Sequence, residues 1–140
     1  MIHQQNSKVV TLITPQSVAT NGTASGTVNV VGFDYGVITL QLGTAVASNV
    51  DATVAVTEGD VASKLATHAD FTLATVAPNT SSGNIMRWYL DLRKRKKFLK
   101  LQYNPNTNVA RTAAATIELS RAEQAPITTT GRGVDAQVIS

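Results

Sequence analysis

The chain has 140 residues, no cysteine, 15% charged residues and a net charge of +3. This length suits one domain, which can bury roughly 68–70% of its unfolded surface and fold without disulfides or metal. The missing cysteines exclude a disulfide scaffold and a Cys-based metal site. No apolar run approaches the roughly 20 residues of a membrane span, and Met1–Lys8 does not resemble a signal peptide.

Short runs rich in β-branched residues, separated by Gly, Asn, Asp and Pro, predict an all-β chain. The predicted strands are Lys8–Ile13, Thr23–Val31, Val37–Leu42, Ala52–Thr57, Phe71–Val76, Ile85–Leu92, Lys97–Tyr103 and Arg111–Leu119. Pro15 closes the first run, and turns are expected at Gly32–Gly36 and Glu58–Asp60. Residues Val61–Phe71 are predicted to form a short helix or a loop.

Alternation along the runs assigns the core, because successive side chains of a strand point to opposite faces. The side chains expected inside are Ile38, Leu40, Leu42, Met86, Trp88, Leu90, Leu92, Leu99, Leu101, Tyr103, Ala113, Ala115, Ile117 and Leu119. Seven or eight short strands at near-regular spacing predict a single β-sandwich, a jelly roll of about eight strands. Residues 1–125 form this domain. Residues 126–140, with Pro126, Gly131 and Gly133, are expected to form an extended C-terminal arm.

Residues that could carry chemistry are sparse. The two histidines are His3, near the terminus, and His68, whose nearest acid is Asp70. Glu58 and Asp60 flank a glycine at a predicted turn, where solvated acids are the simpler interpretation. No catalytic, cofactor-binding or metal-binding residues are predicted, and the chain is not expected to be an enzyme.

The strongest local feature is a run of five cations, Arg93, Lys94, Arg95, Lys96 and Lys97, between the sixth and seventh predicted strands. This position indicates a hairpin connection. Five adjacent cations cannot be buried unpaired. They could be a solvated loop, contact a protein, or bind nucleic acid. Nucleic acid is the least favoured because the flanking aromatics, Tyr89 and Phe98, are already explained as strand residues. We take these five residues as a candidate protein-contact site.

Three stretches resemble the small jelly-roll capsid decoration, or cement, proteins of tailed bacteriophages. They are the Gly32–Tyr35 turn entering Val37–Leu40, the basic run entering the strand Lys97–Leu101, and the late strand ending at Leu119–Pro126. With the spacing between them they cover roughly Lys8 to Pro126. The resemblance implies a structural virion protein that binds the outer surface of a capsid and stabilises the expanded shell, without catalytic residues.

The resemblance also implies the partners. They would be the major capsid protein and further copies of this chain, a trimer being favoured over a dimer. From the residues themselves no cofactor and no membrane are expected, and nucleic acid is disfavoured. The protein would assemble in the host cytoplasm and reside on the capsid exterior. A tail or fibre accessory protein that binds host-surface glycan or protein is the alternative, and an enzyme fragment is a third, weaker one.

Overall fold

The computed structural model describes residues 7–43, 53–67, 84–105 and 110–122. These residues form eight strands and one 3-10 helix, Leu92–Lys94. The strands are β1 (Lys8–Val18), β2 (Ala24–Asn29), β3 (Phe33–Leu42), β4 (Thr53–Val61), β5 (Lys64–Thr67), β6 (Asn84–Asp91), β7 (Phe98–Asn104) and β8 (Arg111–Ala122).

The strands form two four-stranded sheets, in the orders β1-β8-β3-β6 and β2-β7-β4-β5. The first strand pairs with the last, the second with the seventh, the third with the sixth and the fourth with the fifth, each pair antiparallel. The β3–β8 and β4–β7 ladders complete the sheets. This nesting of pairs is the arrangement of a jelly roll, so the predicted fold class is confirmed.

One core lies between the two sheets and draws side chains from both. The alternation read from the sequence is correct here. Ile38, Leu40 and Leu42 of β3, and Leu99, Leu101 and Tyr103 of β7, are each at most 1% exposed. Their neighbours in sequence point outward, as the two-residue period of a strand requires.

Several predicted boundaries were wrong, each for a local reason. Strand β1 continues through Pro15 because it is an edge strand whose pairing with β8 shifts register on both sides of Ile13, and edges and bulges tolerate proline. The turn expected at Gly32–Gly36 is confined to Val31 and Gly32, and the chain extends from Phe33 onward. Gly32 has a φ of +88°, which supplies the reversal.

Strand β4 runs to Val61 instead of turning at Glu58–Asp60, and Lys64–Thr67 is a strand instead of a helix or loop. Glu58 and Gly59 pair with Leu99 and Phe98, so the ladder to β7 holds this segment extended. The predicted strand Phe71–Val76, the residues His3 and His68, and the C-terminal arm 126–140 lie outside the described residues. In the described part of the chain, no helix is long and apolar enough to span a membrane.

Candidate protein-binding site

The five predicted cations, Arg93–Lys97, connect β6 to β7, and we call this segment the basic connection. Strand β6 belongs to the first sheet and β7 to the second, so the segment crosses from one sheet to the other. The hairpin expected from the sequence is therefore wrong. The crossing begins as the 3-10 helix Leu92–Lys94, whose Leu92 is buried in the core and anchors the segment.

Arg93 is held by Asp91, the residue that caps this 3-10 helix. The Asp91 carboxylate accepts hydrogen bonds from the Arg93 backbone N–H at 3.1 Å, from Nε at 2.9 Å and from Nη2 at 2.6 Å. These hydrogen bonds lower the pKa of Asp91 to about 2 and raise that of Arg93. The fork-shaped contact fixes the direction of the guanidinium, although both side chains are about half exposed.

Tyr35 lies beside this ion pair on the outer face of the first sheet. Its Cα is paired with that of Asp91 across the β3–β6 ladder. The guanidinium carbon of Arg93 is 5.3 Å from the centre of the Tyr35 ring, and that of Arg121 is 5.4 Å from it. Arg121 also approaches Asp34 at 3.9 Å and has a φ of +54°, uncommon for a residue with a side chain. Two cations thus contact one aromatic ring at this end of the sandwich.

Glu58 contacts the middle of the basic connection. It is 6% exposed on β4, and its Oε2 accepts a hydrogen bond from the Lys96 backbone N–H at 3.3 Å. Its Oε1 lies 4.0 Å from Nη1 of Arg95, whose side chain is 17% exposed. The connection is also tied to the β2–β3 turn, because the Val30 N–H donates to the Lys97 carbonyl at 2.9 Å.

The basic connection therefore divides into two kinds of cation. Arg93 and Arg95 face carboxylates, whereas the side chains of Lys94, Lys96 and Lys97 are exposed, and among the described residues none of these three lysines forms an ion pair. A cleft of about 280 Å³ opens between the β2–β3 turn and the connection. We call it the basic cleft. Its lining residues are Val30, Val31, Gly32, Phe33, Asp34, Leu92, Arg93, Arg95, Lys96 and Lys97.

Sequence reasoning found the cations but missed the residues that fix them. The alternation along β6 places Asp91 on the outer face of the strand and says nothing of a cap, yet its position two residues before Arg93 is the spacing of a side-chain cap. Glu58 was interpreted as a turn acid, yet it is in phase with Val54 and Val56 and so on the inner face of β4. Tyr35 and Arg121 are far apart in sequence, and only the β3–β8 pairing brings them together.

At the opposite end of the sandwich, polar atoms are buried inside the core. Arg111 is 2% exposed, and its Nε donates to the Gly43 carbonyl at 2.6 Å. Within the described ranges, neither Nη atom of Arg111 has a hydrogen-bond partner, and the same holds for the Tyr103 hydroxyl and the Trp88 Nε1. Burial raises the pKa of Tyr103. The sequence signal for Arg111 was its phase with Ala113, Ala115 and Ile117.

The described residues contain no cluster of three or more His, Asp or Glu side chains that could hold a metal ion. What the arrangement offers chemically is a fixed row of hydrogen-bond donors and positive charges. Such a row binds carboxylate or phosphate groups through charge and hydrogen bonds.

No family model matches the chain, and no curated protein matches it. A solved structure of a family GH115 4-O-methyl-α-glucuronidase, with specificity for decorated arabinogalactans, is 10% identical with a TM-score of 0.42. The match covers 81% of this chain and 16% of the length of that enzyme.

Proposed function

We propose that this protein is a structural component of a virus particle that binds the outer surface of a capsid and stabilises the expanded shell. The virion role follows from the resemblance of three sequence stretches to phage decoration proteins. The mechanism is mass action, since a protein that binds the assembled lattice better than the loosened one shifts the equilibrium toward the assembled state.

The proposal that this protein binds another protein is supported by the contacts that hold the basic connection in place. A merely solvated loop needs no internal supports, yet this one has a buried Leu92, a capping Asp91 and a buried Glu58 beneath its backbone. Anchoring reduces the conformational entropy that binding would otherwise cost. The three exposed lysines are thereby presented from a fixed backbone to whatever surface the protein meets.

Location on the particle tests this proposal. Virus particles purified from a culture encoding this chain are separated into heads and tails, and the chain is quantified in each fraction by mass spectrometry. We expect it on heads, at a copy number related to the symmetry of the lattice. Recovery on tails alone would support a tail or fibre accessory protein, and absence from particles would overturn the virion role.

Docking through the basic connection is tested separately. Stripped heads are mixed with Lys94→Gln/Lys96→Gln/Lys97→Gln protein, which retains Arg93, Arg95 and their carboxylate partners. We expect weaker cosedimentation than for the unaltered protein, with the difference shrinking as salt rises, because charges about 10 Å apart are screened at 0.1 M salt. The charge-matched control is Lys8→Gln/Lys64→Gln/Lys100→Gln, which is expected to bind normally. Equal binding by both variants would contradict docking through this segment.

A further inference from the structure

We infer that the basic cleft binds an acidic segment of a partner protein, with carboxylates on Lys96 and Lys97 and an apolar side chain against Val31. This inference rests on the proposed function, which it deepens by naming the chemistry of the partner.

The cleft lies between two backbone segments that are fixed to each other. The β2–β3 turn forms one side and is closed by the hydrogen bond from the Phe33 N–H to the Val30 carbonyl, at 3.3 Å. The basic connection forms the other side. The hydrogen bond between the Val30 N–H and the Lys97 carbonyl joins the two at the base. The volume of about 280 Å³ is therefore part of the folded structure and needs no partner to create it.

The cleft carries a positive charge that the folded chain compensates only in part. Four of its lining residues are cations, and Asp34 is the acid among them. Asp91 faces Arg93, and Glu58 faces Arg95. Lys96 and Lys97 have no ion-pair partner within the part of the chain that the structure describes. A ligand with carboxylates at these two lysines would gain charge complementarity that the folded chain itself does not supply.

The cleft also offers an exposed apolar side chain, which favours a protein segment over a nucleic acid. Val31 lines the cleft and is 58% exposed, and the partly buried Phe33 lines it too, whereas Leu92 is 5% exposed and packs in the core. Apolar contacts of this kind suit an aliphatic side chain between acidic residues. A nucleic acid would instead use an open aromatic face, but the nearby Tyr35 ring already has two guanidiniums over it.

A model peptide of alternating Glu and Leu, labelled with a fluorophore, tests the inference by fluorescence anisotropy at low salt. Lys96→Gln/Lys97→Gln protein is expected to bind it about fivefold more weakly, as two exposed charge pairs imply. Lys64→Gln/Lys100→Gln removes the same charge from outside both the cleft and the basic connection, since neither residue lies in either of them. This control is expected to bind within about twofold of the unaltered protein, given how weakly exposed charges act at a distance. Equal losses in the two variants would overturn the cleft as the binding site.

A second variant, Val31→Glu, places a carboxylate at the rim on an exposed side chain. It is expected to weaken peptide binding several-fold, because it removes the apolar contact and adds a charge that repels the acidic peptide. A Gln/Leu peptide should bind poorly to the unaltered protein, and an oligothymidine should bind more weakly than the Glu/Leu peptide. Tighter oligothymidine binding would replace the inference with a nucleic-acid site.

The same variants distinguish failure of this inference from failure of the proposed function. If the unaltered protein docks on heads and Lys96→Gln/Lys97→Gln protein docks equally well, the cleft inference is wrong and the virion role stands. If the unaltered protein does not dock on heads but the Glu/Leu peptide still binds the cleft, the virion role fails and the acidic-segment site stands.

Discussion

Replacing Arg111 with Met should leave the fold intact and make it as stable as, or more stable than, the unaltered protein. Arg111 is almost fully buried, on the core-facing side of β8. A guanidinium removed from water needs partners for its charge and for its five N–H groups. In the described residues the structure supplies the Gly43 carbonyl to Nε and no partner to either Nη atom.

Two opposing terms set the size of the effect. Losing the hydrogen bond to Gly43 costs about 1.5–3 kcal/mol, as for a hydrogen bond to a charged group. Removing the buried cation also removes its desolvation penalty of several kcal/mol, which raises the stability of the folded protein. The Met side chain fills much of the same space with apolar atoms. We therefore expect Arg111→Met to be neutral or to raise the free energy of unfolding by about 1–4 kcal/mol.

Urea unfolding followed by the fluorescence of Trp88 measures this change, because Trp88 is the single tryptophan and is buried. The control is Arg121→Met, on the same strand but with a side chain 68% exposed, where we expect a change within about 0.5 kcal/mol. A loss of roughly 2 kcal/mol or more in Arg111→Met would refute the reasoning, because it would mean that the guanidinium is fully paired in the folded protein.

Three further predictions concern other positions. Gly26→Ala should lower the free energy of unfolding by about 3 kcal/mol or more, because the added Cβ would lie 1.8 Å from a β1 carbonyl oxygen. Gly36→Ala should cost little, since the atoms nearest to its Cβ are side-chain methyl groups at 3.3–3.5 Å. The urea midpoints of the two variants compare these effects. In an NMR titration the Asp91 carboxyl should show a pKa of about 2, and this pKa should rise toward its ordinary value in Arg93→Gln. The ion pair stabilises the fold above the unfolded pKa of Asp91, and this stabilisation is lost as the pH falls toward 2. An unchanged Asp91 pKa in Arg93→Gln would contradict the assignment. Burial raises the pKa of Tyr103, so the contribution of its neutral side chain to stability is present below pH 10 and is lost as the pH rises through the folded pKa. Tyr103→Phe should be at least as stable as the unaltered protein and should lose less stability in alkali. An equal alkaline loss in the two proteins would contradict the assignment.

The fold could be read from the sequence wherever one face of a strand is apolar and the other polar. The alternation of Ile38, Leu40 and Leu42 determines both the strand and its buried side, and β7 repeats the pattern. Boundaries failed where long-range pairing overrode a local signal, as at Pro15, which an edge strand accommodates, and at Glu58–Asp60, which β7 holds extended.

The candidate site was predictable as a set of charges but not as a shape. A run of five cations is visible in any reading of the chain, yet its path between the sheets depends on which strands pair. The contact of Tyr35 with two guanidiniums and the support from Glu58 arise between residues distant in sequence. No local pattern encodes those distances, and physical reasoning from the sequence alone could not supply them.

The pairing of the first strand with the last has a consequence for how the protein is made. Strand β8 lies between β1 and β3, so both remain without this neighbour until residues 111–122 have left the ribosome. The ladders that close the sandwich join residues far apart in the chain, and such topologies fold slowly. A nascent chain halted before Arg111 would expose two unpaired strand edges and the apolar face of β3, which favours aggregation. Chaperones that shield nascent chains would therefore matter most for this protein late in its translation.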